Sequence, residues 1–328
     1  MGSVSDRMRQ WMSQQFPLIA LGTVLASGLF IGIPATVTFG GTTALSRWIV
    51  PVVIVGWAIA MSLFRSPTLA MLGNYTIASQ LPQAASLLTL TGALVGAIGS
   101  FASQFVLNLG PAIAFAIGSF ALLGATALLR YLNPRLQLPD QIVSGASQRP
   151  NLPILGLILG TGMGIGLGTI LMRRALSSFA PAFNADLLAS MFAIAHVLTV
   201  VPAGQLAVRF GNRRSMIGGL GAMAGLLCLM VGLPGAAIAI TLILGAAFSL
   251  VVNGTVPLAL SLVPNAQAGL GTGLYFAGTA LASSLFGLVA SPLSALITTT
   301  AGLLAATVLL GAGGCIVLSD RLQKASKS

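Results

Sequence analysis

Acidic residues, histidine and cysteine are scarce in this chain. Its 328 residues include four Asp and Glu together, one His and two Cys. So few ligands cannot build a metal cluster, and no acid pair or nucleophile beside a base stands out. The cysteines, Cys228 and Cys315, lie inside apolar runs, where we expect small buried side chains rather than a disulfide. We therefore predict no catalytic residues, no metal site and no cofactor, and we do not expect an enzyme.

Charged residues of either sign are also few. They make up 6% of the chain and hydrophobic residues make up 56%, whereas soluble domains carry about 25% charged residues. The mean hydropathy of +0.99 indicates that the solvent for most of the chain is the lipid bilayer. Basic residues outnumber acidic ones by 15 to 4, but they lie in short loops, where they orient helices. We expect no nucleic-acid partner.

Apolar runs long enough to cross a bilayer recur along the chain. We count ten runs of roughly 17 to 25 residues, which predicts an all-α polytopic membrane protein with about ten transmembrane helices. A polar segment with two prolines, Pro67 and Pro82, separates the second run from the third, and these prolines are predicted to mark helix ends. Another polar, proline-bearing segment lies between the fourth and fifth runs. The predicted organisation is an incomplete N-terminal bundle at residues 1–130, a cytoplasmic linker at 131–152, a six-helix bundle at 153–319 and a cytoplasmic tail at 320–328.

The distribution of basic residues predicts the orientation of these helices. Twelve of the 15 Lys and Arg residues fall on one side of the predicted membrane, and only Arg47, Arg173 and Arg174 fall on the other. The positive-inside rule then places both termini in the cytoplasm. We predict an integral protein of the plasma (inner) membrane, and a monomer.

Two stretches of the chain share a basic, glycine-containing pattern. The stretch Gly204–Arg214 reads GQLAVRFGNRR, and a weaker copy, GSVSDRMR, begins at Gly2, at a constant offset of 202 residues. The pattern resembles the loop signature of the major facilitator superfamily, G-x-L-x-D-R-x-G-R-R, which occurs in both halves of those transporters. The positions that carry the resemblance are Gly2, Asp6, Arg7, Arg9, Gly204, Arg209, Gly211, Arg213 and Arg214.

This resemblance implies two pseudo-repeated bundles and a secondary-active or facilitative transporter that moves a small solute by alternating access. In the family the signature Asp caps a helix and acts as a latch with basic residues; Asp6 keeps it, whereas Val208 stands at the matching position of the second copy. Because the first half has only four predicted spans, the chain looks like a member without the first two helices, through a late start or a true truncation. A ten-helix arrangement complete in itself is the third possibility.

Two branches of the superfamily have further points of similarity. The segment RSPTLAML, which starts at Arg65, is similar to the glycoside-pentoside-hexuronide and sucrose-carrier branch, although Asn74 stands near where that branch has Asp. That similarity implies a sugar-like or other small organic solute. By general appearance the chain also resembles the pigment-delivery branch associated with light-harvesting assembly. The alternative function is therefore a non-transporting assembly factor or pigment-handling protein of the same fold.

Polar side chains inside the apolar runs are the candidates for a solute cavity. His196, the only histidine, is a functional candidate because ionisable groups at bilayer depth are costly and usually face a cavity or a partner. No acid lies clearly within a run, so coupling to protons would need His196 or an acid upstream. Amides, hydroxyls and aromatic faces suit a neutral polyol or sugar, although they also hold helices together. The other candidates are Gln104, Thr161, Asn253, Tyr275 and Trp57.

Glycines recur every fourth residue near the start of the second half. Gly156, Gly160, Gly164 and Gly168 share one face of a predicted helix. Such a face allows a neighbouring helix to approach closely. We predict that these glycines serve helix packing.

Overall fold

The computed structural model describes residues 16–40, 44–77, 79–132, 151–178, 185–264, 267–290 and 294–325. These residues form long helices joined by short connections, and no strand occurs among them. The helices are α1 Phe16–Gly40, α2 Ala44–Tyr75, α3 Leu81–Asn108, α4 Pro111–Leu132, α5 Leu152–Ser178, α6 Ala185–Phe210, α7 Asn212–Gly232, α8 Ala237–Ser261, α9 Ala268–Ala290 and α10 Ser294–Ala325.

Each helix named above is long and apolar enough to cross a membrane, which gives ten candidate spans within the described ranges. In a bilayer an α-helix satisfies its own backbone hydrogen bonds, so a chain this apolar folds as spanning helices. The prediction of an all-α, multi-pass membrane protein is confirmed.

The chain separates into two compact units that are not continuous in sequence. The first contains residues 1–75, 98–145 and 266–273, and the second contains 76–97, 146–265 and 274–328. The second unit therefore holds α5 to α8, α10, the start of α3 and most of α9. The candidate site described below lies in this unit.

In the first unit, α1 packs against both α2 and α4. Hydroxyl groups join α1 to α4: Ser119 Oγ donates to the carbonyl of Ser27 at 3.1 Å, and the hydroxyls of Thr23 and Thr126 are 3.1 Å apart. These three groups, Ser119, Ser27 and Thr23, are at most 2% exposed. Interhelical polar bonds of this kind hold transmembrane helices together where the hydrophobic effect cannot.

In the second unit, α10 packs along α5 and α7, and α8 packs between α6 and α7. The apolar core between these helices contains fully buried large side chains, including Met172, Leu220, Leu244 and Leu309. This packing fixes α6 and α8 against each other, and the polar residues of the candidate site lie between those two helices.

The glycines of α5 lie on two faces. A Cβ at Gly164 would stand 2.8 Å from the Cβ of Ala312, and one at Gly168 would stand 2.7 Å from Leu309 Cγ, so this face meets α10. Gly160 lies on the same face, 3.5 Å from Cys315 Sγ by the same measure. At Gly156, by contrast, no described residue outside the local chain lies within 4 Å.

The second glycine face of α5 meets α9, and its residues are outside the predicted every-fourth series. A Cβ at Gly162 would collide with the backbone carbonyl of Tyr275, and one at Gly278 of α9 would collide with the carbonyl of Leu159. Backbone atoms cannot move aside as a side-chain tip can. The α5–α9 contact therefore depends on glycine at positions 162 and 278.

One predicted helix boundary is wrong. Pro67 lies inside α2, which continues to Tyr75. A spanning helix tolerates an internal proline because neighbouring groups and local adjustments satisfy the backbone carbonyl that loses its donor. At the other end of the chain, α10 continues as far as Ala325, within the range predicted as the cytoplasmic tail.

Candidate functional site

The only histidine of the chain lies near the middle of α6 and contacts α8. Nδ1 of His196 is 2.8 Å from the hydroxyl oxygen of Ser249. That oxygen is also 2.9 Å from the hydroxyl of Thr199, which is one turn after His196. Ser249 is fully buried, and the Thr199 hydroxyl lies 2.6 Å from the carbonyl of Ala195. His196, Ser249 and Thr199 thus form a connected polar cluster, here called the histidine cluster.

Aromatic rings flank the histidine cluster. The ring of Phe248 meets the imidazole of His196 edge-on at 5.0 Å between centroids, and the ring of Phe192 lies at 6.4 Å. The two phenyl rings are 5.3 Å apart, and both are partly buried. A single polar group among aromatic faces is the usual composition of a site for a small organic ligand, because the faces supply contact area and the polar group supplies orientation.

Asn253 lies one helical turn after Ser249 on the same face of α8. Its Nδ2 donates to the carbonyl of Val200 at 2.6 Å. Its Oδ1 is buried and has no hydrogen-bond partner among the described residues. Pro257, four residues further on, has no N–H, so the backbone carbonyl of Asn253 also lacks its usual helical donor. Asn253 therefore presents one unpartnered side-chain acceptor, Oδ1, beside a backbone carbonyl without its usual helical donor.

The remaining predicted cavity residues lie elsewhere. Thr161 donates its hydroxyl to Leu157 O of its own helix at 2.7 Å. Tyr275 is 6% exposed and lies in the α5–α9 contact. In the first unit, the Trp57 ring stacks on Phe30 at 5.3 Å. Gln104 is part of α3, but its side chain lies outside the described residues. Of the predicted cavity residues, His196 and Asn253 therefore lie between α6 and α8, whereas Thr161, Tyr275 and Trp57 lie at other helix contacts.

The basic stretch Gly204–Arg214 covers the end of α6 and the start of α7. Gly204 packs against the start of α3, where an added Cβ would stand 2.6 Å from the Cβ of Ser86. Gly211, between the two helices, has φ +91°, which a residue with a Cβ rarely adopts. Arg209 and Arg214 are exposed. Each glycine of the pattern therefore has a physical reason. The weaker copy, at residues 2–9, lies outside the described residues.

Arg213 connects the first turn of α7 to two other helices. Its guanidinium pairs with the carboxylate of Asp320 and donates to Oε1 of Gln323, both on α10. Gln323 in turn donates to the carbonyl of Ser261 at the end of α8, at 3.0 Å. Lys324 also reaches Asp320, at 2.9 Å. One arginine thus ties together the ends of α7, α8 and α10.

The sequence did not point to Ser249, Thr199, Asp320 or Gln323. Ser and Thr are common in spanning helices because they can return their hydroxyls to their own backbone, so nothing distinguished Ser249 before α6 and α8 were known to pack together. Asp320 did carry a signal, since it is one of only four acidic residues in the chain.

The comparisons with known proteins bear on the fold. No protein-family description matches the chain, and neither does any curated protein. Solved structures do match. A bacterial homologue of the iron transporter ferroportin, in an outward-facing state, superposes with a TM-score of 0.72 over 98% of this chain and 87% of that one, at 15% identity. FucP, described as a Major Facilitator Superfamily transporter, superposes as well, so the chain has the major facilitator fold.

Two structures of FucP support the same conclusion. The E. coli fucose:proton symporter superposes with a TM-score of 0.66 at 13% identity, over 96% of this chain and 86% of that one. The structure of FucP in the outward conformation superposes with a TM-score of 0.63 at 13% identity, over 93% of this chain and 81% of that one. The resemblance read from the loop signature is thereby confirmed at the level of the fold.

Proposed function

We propose that this protein is a membrane transporter that moves a small organic solute by alternating access, with the histidine cluster as part of its solute site. In transporters of this kind the solute binds near the middle of the membrane, and two bundles rock about it. The observation that carries the proposal is the position of His196. It is near mid-helix, bonded to α8 through Ser249 and flanked by two phenyl rings.

The chemistry of the site favours a neutral solute with hydroxyl groups, such as a sugar. When His196 is neutral, the hydroxyls, imidazole and amide that meet between α6 and α8 carry no formal charge, and the phenyl rings offer apolar faces. Both FucP structures are of a transporter described as a fucose:proton symporter, which supports the same class of solute. Among the described residues no three His, Cys, Asp or Glu side chains lie together as metal ligands would, so we favour an organic solute over a metal ion.

Protons are the proposed coupling ion, with His196 as the residue that takes one up. Histidine is the side chain whose charge changes most readily near neutral pH.

We further propose that the protein works as a monomer in the plasma membrane. Both termini are proposed to lie in the cytoplasm, because the basic residues fall mainly on one side. The sucrose-carrier resemblance of the Arg65 segment is retained as a proposal for the sugar class.

Ligand-dependent stabilisation tests the proposed solute class. Purified protein in detergent would be heated with each member of a panel of neutral sugars, sugar acids and amino acids. A ligand that binds only the folded state raises Tm, and at a hundred times its Kd it adds about 2.7 kcal/mol. We expect a rise with one or more neutral sugars, and loss of that rise in His196→Phe. No rise with any sugar, from protein that unfolds cooperatively, would contradict the sugar class and favour the assembly-factor alternative.

A further inference from the structure

The hydroxyl contacts of the histidine cluster determine which nitrogen of His196 carries the proton. Three contacts run in series: Nδ1 of His196 to Ser249 Oγ at 2.8 Å, Ser249 Oγ to Thr199 Oγ1 at 2.9 Å, and Thr199 Oγ1 to Ala195 O at 2.6 Å. The last atom in the series is a carbonyl oxygen, which can only accept. Each hydroxyl has a single proton to donate.

Counting protons along this series leaves one arrangement. Thr199 must donate to Ala195 O, because two oxygens 2.6 Å apart with no proton between them repel each other. The hydroxyl proton of Ser249 must then lie between Ser249 and Thr199, because the hydroxyl proton of Thr199 is already donated to Ala195 O. The contact between His196 and Ser249 therefore needs a proton from Nδ1. In the opposite direction, with Ser249 donating to Nδ1, only two protons remain for the three contacts, so either the Ser249–Thr199 or the Thr199–Ala195 contact has none.

The other contacts of these hydroxyls are longer and all go to carbonyl oxygens, so a Ser249 proton given to one of them is still not given to Nδ1. Ser249 Oγ lies 3.2 Å from His196 O and 3.1 Å from Gly245 O, and Thr199 Oγ1 lies 3.4 Å from His196 O. The rings of Phe192 and Phe248 that face the imidazole are apolar. The series of three short contacts therefore decides the tautomer.

We infer that Ser249 and Thr199 are positioning residues that hold neutral His196 with its proton on Nδ1 and leave Nε2 as a hydrogen-bond acceptor. Neither residue needs to touch the solute for this. This arrangement also determines which groups of the solute can bind at Nε2, a step that rests on the proposed function. An acceptor nitrogen requires a donor, such as a sugar hydroxyl, and disfavours a carboxylate or phosphate in the same place.

The single histidine makes the inference directly measurable. Protein labelled with ring-¹⁵N histidine, in lipid nanodiscs at a pH where the ring is neutral, gives one pair of ring nitrogen signals, and their couplings report which nitrogen is protonated. We expect the proton on Nδ1 in the wild type. A wild-type spectrum with the proton mainly on Nε2 would overturn the inference, whatever the variants do.

Matched variants separate positioning from general structure. We expect Ser249→Ala to shift the ratio of the two tautomers toward the Nε2–H form by about three- to ten-fold, the change that loss of one ordinary hydrogen bond produces. Ser249→Thr, which keeps a hydroxyl, should restore the Nδ1–H form, and Thr199→Val should give a smaller shift. An unchanged ratio in Ser249→Ala would contradict the role of Ser249.

Two control variants remove buried hydroxyls elsewhere. Thr241→Val and Ser319→Ala each delete a buried hydroxyl whose recorded bond is to its own helix, to Ala237 O and Ile316 O respectively. We expect both controls to leave the tautomer ratio as it is in the wild type. A shift in either control as large as that in Ser249→Ala would mean that the tautomer responds to general loosening of the bundle, which would overturn the positioning role.

The same spectra distinguish failure of this inference from failure of the proposed function. Adding fucose should move the Nε2 signal of the wild type, whereas acetate, whose carboxylate can only accept, should not. If the proton is on Nδ1 but no neutral sugar moves the Nε2 signal, the tautomer assignment stands and the sugar site fails. If acetate moves it and fucose does not, the inferred donor chemistry of the solute is wrong.

Discussion

Arg213, in the first turn of α7, forms an ion pair with Asp320. Asp320 lies near the end of α10, 107 residues later in the chain. The loop signature in the second half has Val208 where the family pattern has its acid, and Val208 is exposed. The carboxylate that pairs with the loop therefore comes from another helix. The pair is confined to the second unit, so it joins helices within one bundle.

Loss of the Arg213 pair should lower stability modestly. The Arg213 side chain is 23% exposed and bonds to both Asp320 and Gln323, whereas Arg214 is exposed and its side chain has no hydrogen bond or ion pair with a described residue. We expect Arg213→Gln to lower Tm by a few degrees, since the half-buried guanidinium makes charge-assisted bonds to two residues of α10, Asp320 and Gln323. Arg214→Gln should leave Tm nearly unchanged. The measurement is thermal unfolding in detergent, and an equal drop in both variants would contradict the account.

The α5–α9 contact should not tolerate alanine. In Gly162→Ala or Gly278→Ala the new methyl would collide with a backbone carbonyl of the facing helix. Overpacking of this kind costs about 1–3 kcal/mol. Gly156→Ala is the matched control, because no described residue outside the local chain lies within 4 Å of its added Cβ. Chemical unfolding of the three variants would show the difference, and a Gly156 variant as unstable as the others would count against the described packing.

Asn253 should accept a nonpolar replacement better than an acidic one. Asn253→Leu removes an unpartnered buried oxygen together with one hydrogen bond, so we expect a change in unfolding free energy within about 1 kcal/mol. Asn253→Asp loses the N–H that bonds Val200 O and places a carboxylate in a buried site, which should cost about 3 kcal/mol or more if the group stays ionised. Unfolding of both variants at neutral pH checks this. A leucine variant less stable than the aspartate variant would show that Oδ1 has an important partner.

Much of the fold could be predicted because each helix is specified locally. Runs of about 20 apolar residues must be helical in a bilayer, and few charges interrupt them here. Boundaries were harder. Pro67 looks like the end of a helix in the sequence, yet α2 continues past it to Tyr75, because a spanning helix tolerates an internal proline.

The candidate site was only partly predictable, for a different reason. His196 and Asn253 stood out because each is unusual within an apolar run. Ser249 and Thr199 did not, because a hydroxyl acquires its role from what packs against it, and Ser249 is 53 residues from His196 in the sequence. The pairing of α6 with α8 is a tertiary fact. No local pattern encodes it, and the same is true of the contact between α5 and α9.

Uptake by proteoliposomes tests the central claim, that His196 belongs to the solute site of a transporter. Wild type, His196→Gln and the buried-hydroxyl control Thr241→Val would be compared for uptake of labelled neutral sugars, with and without an inward proton gradient. We expect gradient-stimulated uptake by the wild type and by Thr241→Val, and at least a ten-fold loss in His196→Gln, which corresponds to about 1.4 kcal/mol. Undiminished uptake by folded His196→Gln would contradict the claim.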